Sequence, residues 1–261
     1  MQIAPLSRFG LRAAAAVACA GALGLSLGWR RSPPATRELR VAAAADLRVA
    51  FGEMVAAFER AEGARVVLVF GSTGLLARQV RQGAPFDLLF AANESYIADL
   101  ERQGGTLPGT RTLYAVGRLA VYTPNGMRPP RRLADLAGRE HRRIAIANPD
   151  HAPYGAAARE ALQRAGIWHA VEPRVVYGEN VQQALQHALT GNATAAVVAL
   201  SLRAGQAGRW TRVPEGLHQP ILQAAAALRQ SRDPELARRF LRFVVGPAGR
   251  DVLQRCGFGL P

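Results

Sequence analysis

Val66-Val67-Leu68-Val69-Phe70-Gly71-Ser72-Thr73-Gly74-Leu75-Leu76-Ala77-Arg78-Gln79 decides how the chain is read. The β-branched and aromatic run predicts a buried strand, Gly71 breaks it, and two hydroxyl residues lead straight into a helical pattern. A helix start carries unpaired backbone NH groups and the positive end of the helix dipole, so this junction is a candidate anion socket. Ser72 and Thr73 add hydroxyl donors there. A hydroxyl residue before one isolated helix is more often a simple cap, so the reading gains its weight only from repetition.

Three further junctions repeat the pattern. Leu39 to Ala45 is a short apolar strand ending in Asp46, after which Leu47, Val49, Ala50, Met54, Val55, Ala57 and Phe58 recur near a 3.6-residue period. That placement predicts Asp46 as a helix N-cap. Ile144 to Ala147 leads through Asn148-Pro149 and His151-Ala152-Pro153-Tyr154-Gly155 into a helical run over Ala156–Ala165. Arg174 to Gly178 leads through Glu179-Asn180-Val181 into a helix reaching Leu189. In open α/β sheets such turns gather at the carboxyl ends of the strands, where ligands bind in the crevice.

The rest of the chain supplies the frame. From Leu39 to about Gly117 strands and helices alternate, with a third strand over Phe86–Ala91 and a helix over Glu94–Gln103. A second alternating half opens near Leu119 and runs through the strand Ala195–Leu200. Pro220–Ala226 reads as a last strand, and Pro234–Val245 and Pro247–Arg255 as closing helices. The pattern predicts an α/β protein of two lobes with a ligand cleft between them: 39–118 as lobe 1, 119–214 as lobe 2, and 215–261 returning to lobe 1.

Residues 1–38 read as a signal peptide and tether. Arg8 and Arg12 precede the apolar run Ala13–Gly28, and Pro33-Pro34 follow. The run is shorter than the 18 or more residues of a spanning helix, with an uncleaved anchor as one alternative and lipidation at Cys19, after Ala16-Val17-Ala18, as another. Without that segment Cys256 stands alone, which excludes an internal disulfide and suggests no thiol chemistry. The formal net charge of +14 comes from a chain with no lysine whose arginines are scattered. That distribution argues against a nucleic-acid surface and suits the steering of anions. Asp46, His151 and Tyr154 could form an acid/base set, but no nucleophile elbow, phosphate-loop lysine or metal-spaced His/Cys cluster accompanies them. His151 reads as a loop residue, and Asp87 and Glu179 as turn or cap residues.

Six segments carry a resemblance: Ala43-Ala44-Ala45-Asp46-Leu47; Gly71-Ser72-Thr73-Gly74 with Leu76-Ala77-Arg78-Gln79; Gly83-Ala84-Pro85-Phe86-Asp87; Asn148-Pro149-Asp150-His151-Ala152-Pro153-Tyr154-Gly155; Glu179-Asn180-Val181; and Gly246-Pro247 with Gly257-Phe258. In this order, from about 39 to 258, the chain resembles the periplasmic molybdate-binding proteins of ABC importers. The resemblance implies a two-lobe, type II binding protein of the periplasm that closes over a tetrahedral oxyanion, molybdate or tungstate. Such a protein works as a monomer, hands its anion to the importer's membrane subunits, and uses no cofactor, no metal cation and no chemistry. Carried over by position, the contacts come from Asp46, Thr73, Tyr154 and Val181, with Ser72 as an adjacent reserve donor. Val181 would act through its backbone NH, Tyr154 through its NH and its phenol, and Thr73 through both NH and hydroxyl. Where some members carry a tyrosine after the Val197-Val198 strand, this chain has Ala199.

Asp46 departs from the serine of many members. A carboxylate about 4 Å from a dianion costs roughly twice 4 kcal/mol at an effective dielectric near 20, more than several hydrogen bonds return. The favoured expectation is that Asp46 turns back to cap its own helix; the alternatives are that it is protonated or that the ligand is another anion, such as sulfate or an organic anion.

Overall fold

The computed structural model describes residues 37–261, so the expected signal segment, its Cys19 and all but the end of the tether lie outside the described residues. In chain order the elements are β1 (Glu38–Ala44), α1 (Arg48–Glu62), β2 (Arg65–Gly71), α2 (Thr73–Arg81), β3 (Leu88–Ala91), α3 (Glu94–Arg102), β4 (Thr112–Gly117) and β5 (Leu119–Thr123). Then come β6 (Ile144–Ala147), α4 (Pro153–Arg164), α5 (Trp168–Val171), β7 (Val175–Gly178), α6 (Val181–Leu189), β8 (Ala195–Ala199), β9 (Arg209–Arg212), β10 (Ile221–Ala227), α7 (Pro234–Val245) and α8 (Pro247–Arg255).

Two five-stranded sheets share one plan, β2-β1-β3-β10-β4 and β7-β6-β8-β5-β9. In each, three mutually parallel strands are followed by two more, each antiparallel to the strand it joins. The chain crosses between the sheets at Arg118 and again between β9 and β10. Because β2, β6 and β7 each feed a helix that starts at the carboxyl end of the sheet, those helix starts converge on the crevice between the lobes.

The two-residue period of β1 builds two cores at once. Leu39, Val41 and Ala43 face α1, α7 and α8, packing with Phe51, Phe58 and Phe240, while Ala42 faces α2 and α3 with Leu76, Ala77 and Ile97. The second sheet has its own core of Val121, Ile144, Ile146, Val197, Leu162 and Leu185.

Three local expectations need correction. β4 and β9 add two strands that the alternating pattern does not report, because β4 runs into β5 with only Arg118 between them and β9 is the short polar edge Arg-Trp-Thr-Arg. α4 begins at Pro153 rather than Ala156, since proline at the first helical position has no NH to lose and a φ already suited to a helix. Asp46 is not the cap of α1: a 3-10 turn over Ala45–Leu47 precedes that helix, so Asp46 lies inside the turn, where the amides of Asp46 and Leu47 attend its own carboxyl, and the residue at the cap position of α1 is Leu47, which makes no side-chain bond.

Candidate oxyanion site

Three helices, α2, α4 and α6, bring their first turns to one cavity, and at each the local sequence consumes every amide but one. At α2, Ser72 stands in extended backbone as the N-cap and accepts from the Leu75 amide, while the Gly74 amide donates to the His151 carbonyl at 2.9 Å. The Thr73 amide is left over. At α6, the Asn180 carboxamide accepts from the Gln182 and Gln183 amides at 3.0 and 3.1 Å, leaving that of Val181. At α4, Pro153 offers no NH and the Gly155 and Ala156 amides donate to the Ala152 carbonyl, leaving that of Tyr154. Thr73, Tyr154 and Val181 are all buried.

One cavity is lined by all five residues singled out from sequence, Asp46, Ser72, Thr73, Tyr154 and Val181, together with Ala45, Gly71, Ala92 and Asn180. It has about 10 Å³ of open space at its centre, on the order of one water molecule. No cationic side chain lines it. The Thr73 hydroxyl accepts from the Ala92 amide at 3.0 Å, which leaves its own proton to donate elsewhere. Ser72 is differently engaged: its hydroxyl lies 2.7 Å from His151 Nδ1 and 3.2 Å from the His151 carbonyl, so together with Gly74 it ties the two lobes to each other. His151, read from sequence as a loop residue, is thereby the contact point of the second lobe on α2.

Beneath the cavity lies a buried polar chain that sequence reasoning missed. Tyr114 of β4 donates to Gln223 Oε1 at 2.6 Å, and Gln223 Nε2 donates to Asp46 Oδ2 at 2.6 Å and to the Tyr154 phenol at 3.0 Å. Ser201, in the turn after β8, donates to the Asp46 carbonyl at 2.8 Å. Asp46 is fully buried, and its Oδ1 has no hydrogen-bond partner. Burial pushes the Asp46 pKa up to about 6, against the Gln223 amide, the Tyr154 phenol and the backbone amides of Asp46 and Leu47, which favour the ionised form. Burial also pushes the phenols of Tyr114 and Tyr154 well above their usual range, and the Asp46 charge adds to both shifts. Both phenols therefore remain protonated, and that of Tyr154 is occupied by Gln223 and Asp46. A single glutamine in the apolar strand Ile221-Leu222-Gln223-Ala224-Ala225 was the available signal, because a buried polar residue is the informative exception in a strand.

A crevice between two like-built α/β lobes, onto which three helix amino termini open, defines an anion-binding receptor. The model of the bacterial extracellular solute-binding protein family matches residues 39–259, and the chain belongs to that family. Among its relatives, the molybdate-binding protein ModA of Rhodobacter capsulatus is 35% identical over 248 residues, covering 94% of this chain and 95% of the relative. The ModA of Azotobacter vinelandii is also 35% identical, over 227 residues and 85% and 90% of the two chains. The solved structure of the Azotobacter vinelandii periplasmic molybdate-binding protein superposes with a TM-score of 0.80 at 29% identity, covering 85% of this chain and 99% of that one.

Proposed function

We propose that this protein captures molybdate or tungstate in the periplasm and delivers it to the membrane subunits of an ABC importer. The observation that carries the reading is the convergence of three unused helix amides, Thr73, Tyr154 and Val181, with the Thr73 hydroxyl, on one cavity between the lobes. Neutral NH and OH groups at helix starts hold a dianion through oriented dipoles and need no counter-charge. The two relatives that are 35% identical are molybdate-binding proteins. In this reading Thr73 gives NH and OH, Val181 and Tyr154 give NH, Ser72 closes the lobes as well as standing in reserve, and Asp46 forms the floor. The lobes 39–118 with 215–261, and 119–214, move as units and close over the anion, the monomer being the working form.

The space at the centre is about one water wide, so the lobes must part to admit any oxyanion, and an organic anion would hold them further apart than a compact tetrahedral one. No turnover is proposed. The test is calorimetric titration of the mature protein with molybdate, tungstate, sulfate and phosphate. Molybdate and tungstate should bind far more tightly than the other two. Equal binding of sulfate, or binding of none of the four, overturns the reading.

A further inference from the structure

Asp46 is a carboxyl group placed where an anion is to sit. Its Oδ2 is committed to Gln223 at 2.6 Å, while Oδ1 is buried with no hydrogen bond of good geometry, the amides of Asp46 and Leu47 lying near the carboxyl, and the residue lines the cavity. An ionised Oδ1 facing an oxyanion oxygen is two acceptors with no proton between them, in a site without a cationic side chain. Resting on the reading of this site as an oxyanion receptor, we propose that the anion is bound together with one proton, shared between Asp46 Oδ1 and an oxygen of the ligand. The ionised free protein, the dianion and one proton from solvent combine into a single complex, so charge and proton balance.

The surroundings fit that assignment. The titratable groups facing the carboxyl are the phenols of Tyr154 on α4 and Tyr114 on β4; β10 contributes only the Gln223 amide, and the Ser201 hydroxyl serves the main-chain carbonyl instead. None of these can give up a proton near neutral pH or neutralise the carboxylate. Burial already raises the affinity of Asp46 for a proton before any anion arrives, and a dianion alongside raises it further.

The consequence is a second basis for selectivity besides size. A shared proton needs a ligand oxygen basic enough to hold its part of it. Sulfate is the weakest base of the four anions and takes the smallest share; phosphate, the strongest base, is separated from molybdate and tungstate by size instead. Asp46 is thus a specificity-determining residue, one that turns away sulfate by basicity.

The experiment is calorimetry of molybdate binding at pH 7.0 to 8.5, repeated in buffers of different ionisation enthalpy, which counts protons without any variant. The wild-type protein should take up about one proton per anion, and its affinity should fall about tenfold per pH unit in that range. Asp46→Asn should bind with no net proton uptake and no pH slope, and its preference for molybdate over sulfate should narrow. Binding by the wild type without proton uptake, or a pH slope unchanged in Asp46→Asn, overturns the proton assignment while leaving the oxyanion reading intact. Failure of every anion to bind at any pH overturns both.

Discussion

Tyr114 belongs to two regions that obey opposite rules. Its ring packs edge-on against Phe90 at 5.3 Å, in a cluster where Phe51 meets Phe90 and Phe58 meets Phe240, each at 4.9 Å. Its hydroxyl starts the polar chain through Gln223 to Asp46 and Tyr154. The aromatic cluster is satisfied by shape alone, which many apolar sequences achieve. The polar chain contains a fully buried carboxyl with one unpaired oxygen, an arrangement that works against folding and persists only where something else requires it. The same strands supply both: β1 gives Leu39 and Val41 to the core and ends beside Asp46, while β10 gives Ala225 and Ala227 to the core and Gln223 to the site. A few ångströms along a strand separate stability from recognition.

The sharpest break between the regions comes from Phe240→Ala. Phe240 contacts Phe51, Phe58 and Phe90, and its loss should destabilise the protein by about 3–5 kcal/mol in denaturant titration, the scale of a large cavity. The folded fraction should keep its oxyanion affinity, because no part of the residue reaches the cavity. A parallel loss of affinity would dissolve the distinction. Next in size is the pH dependence from Asp46. Its folded pKa near 6 exceeds the ordinary 3.8, so the folded state binds the proton more tightly. Stability from this group is full below about pH 4 and is lost as pH rises through about 6, by about 3 kcal/mol for a shift of about two units. Unfolding measured from pH 4 to 7 should show that decline in the wild type relative to Asp46→Asn, and a constant difference would contradict it.

What sequence revealed follows the same division. The apolar strands and their following helices were legible because burial imposes a period and helix starts carry local chemistry, as at Ser72 and Asn180. The residues that surround the cavity were legible as motifs at strand-to-helix turns. Asp46 lines the cavity, yet its role is not legible locally: an aspartate before a helical pattern reads as a cap, but its side-chain partner is Gln223, 177 positions away, and no local pattern reports it. Tyr114 gives no signal of its own, because the alternation of its strand is blurred by the immediate crossing into β5.

On the recognition side, Thr73→Ala should weaken molybdate binding by about 1.5–3 kcal/mol, the value of a hydrogen bond to a charged group. Thermal stability should change less, because among the described residues the threonine side chain makes a single hydrogen bond, the one its hydroxyl accepts from the Ala92 amide. Unchanged affinity in calorimetry would remove the hydroxyl from the site. Gly74→Ala tests closure rather than contact. A Cβ there would lie 2.8 Å from the His151 carbonyl oxygen, with backbone on the far side, so the lobes could not come fully together. Slower capture and weaker binding with normal stability are expected, and unaltered binding would show that this seam does not govern closure.

The smallest expected effect is the most informative about the boundary, because Tyr114→Phe keeps the ring against Phe90 and removes only the oxygen. The aromatic cluster loses nothing, so any change arises on the polar side. The direct loss is the 2.6 Å bond to Gln223, worth about 1 kcal/mol net for a typical intramolecular hydrogen bond. An indirect loss follows if the polar chain acts as a unit: an amide released at Oε1 is no longer oriented to donate from Nε2 to Asp46 and Tyr154, and the floor of the cavity loosens. Stability and molybdate affinity should then both fall, by comparable amounts, and the affinity loss should shrink when Tyr114→Phe is made in the Asp46→Asn background. A drop in stability with affinity untouched would assign Tyr114 to the core alone, and would place the true edge of the site at Gln223.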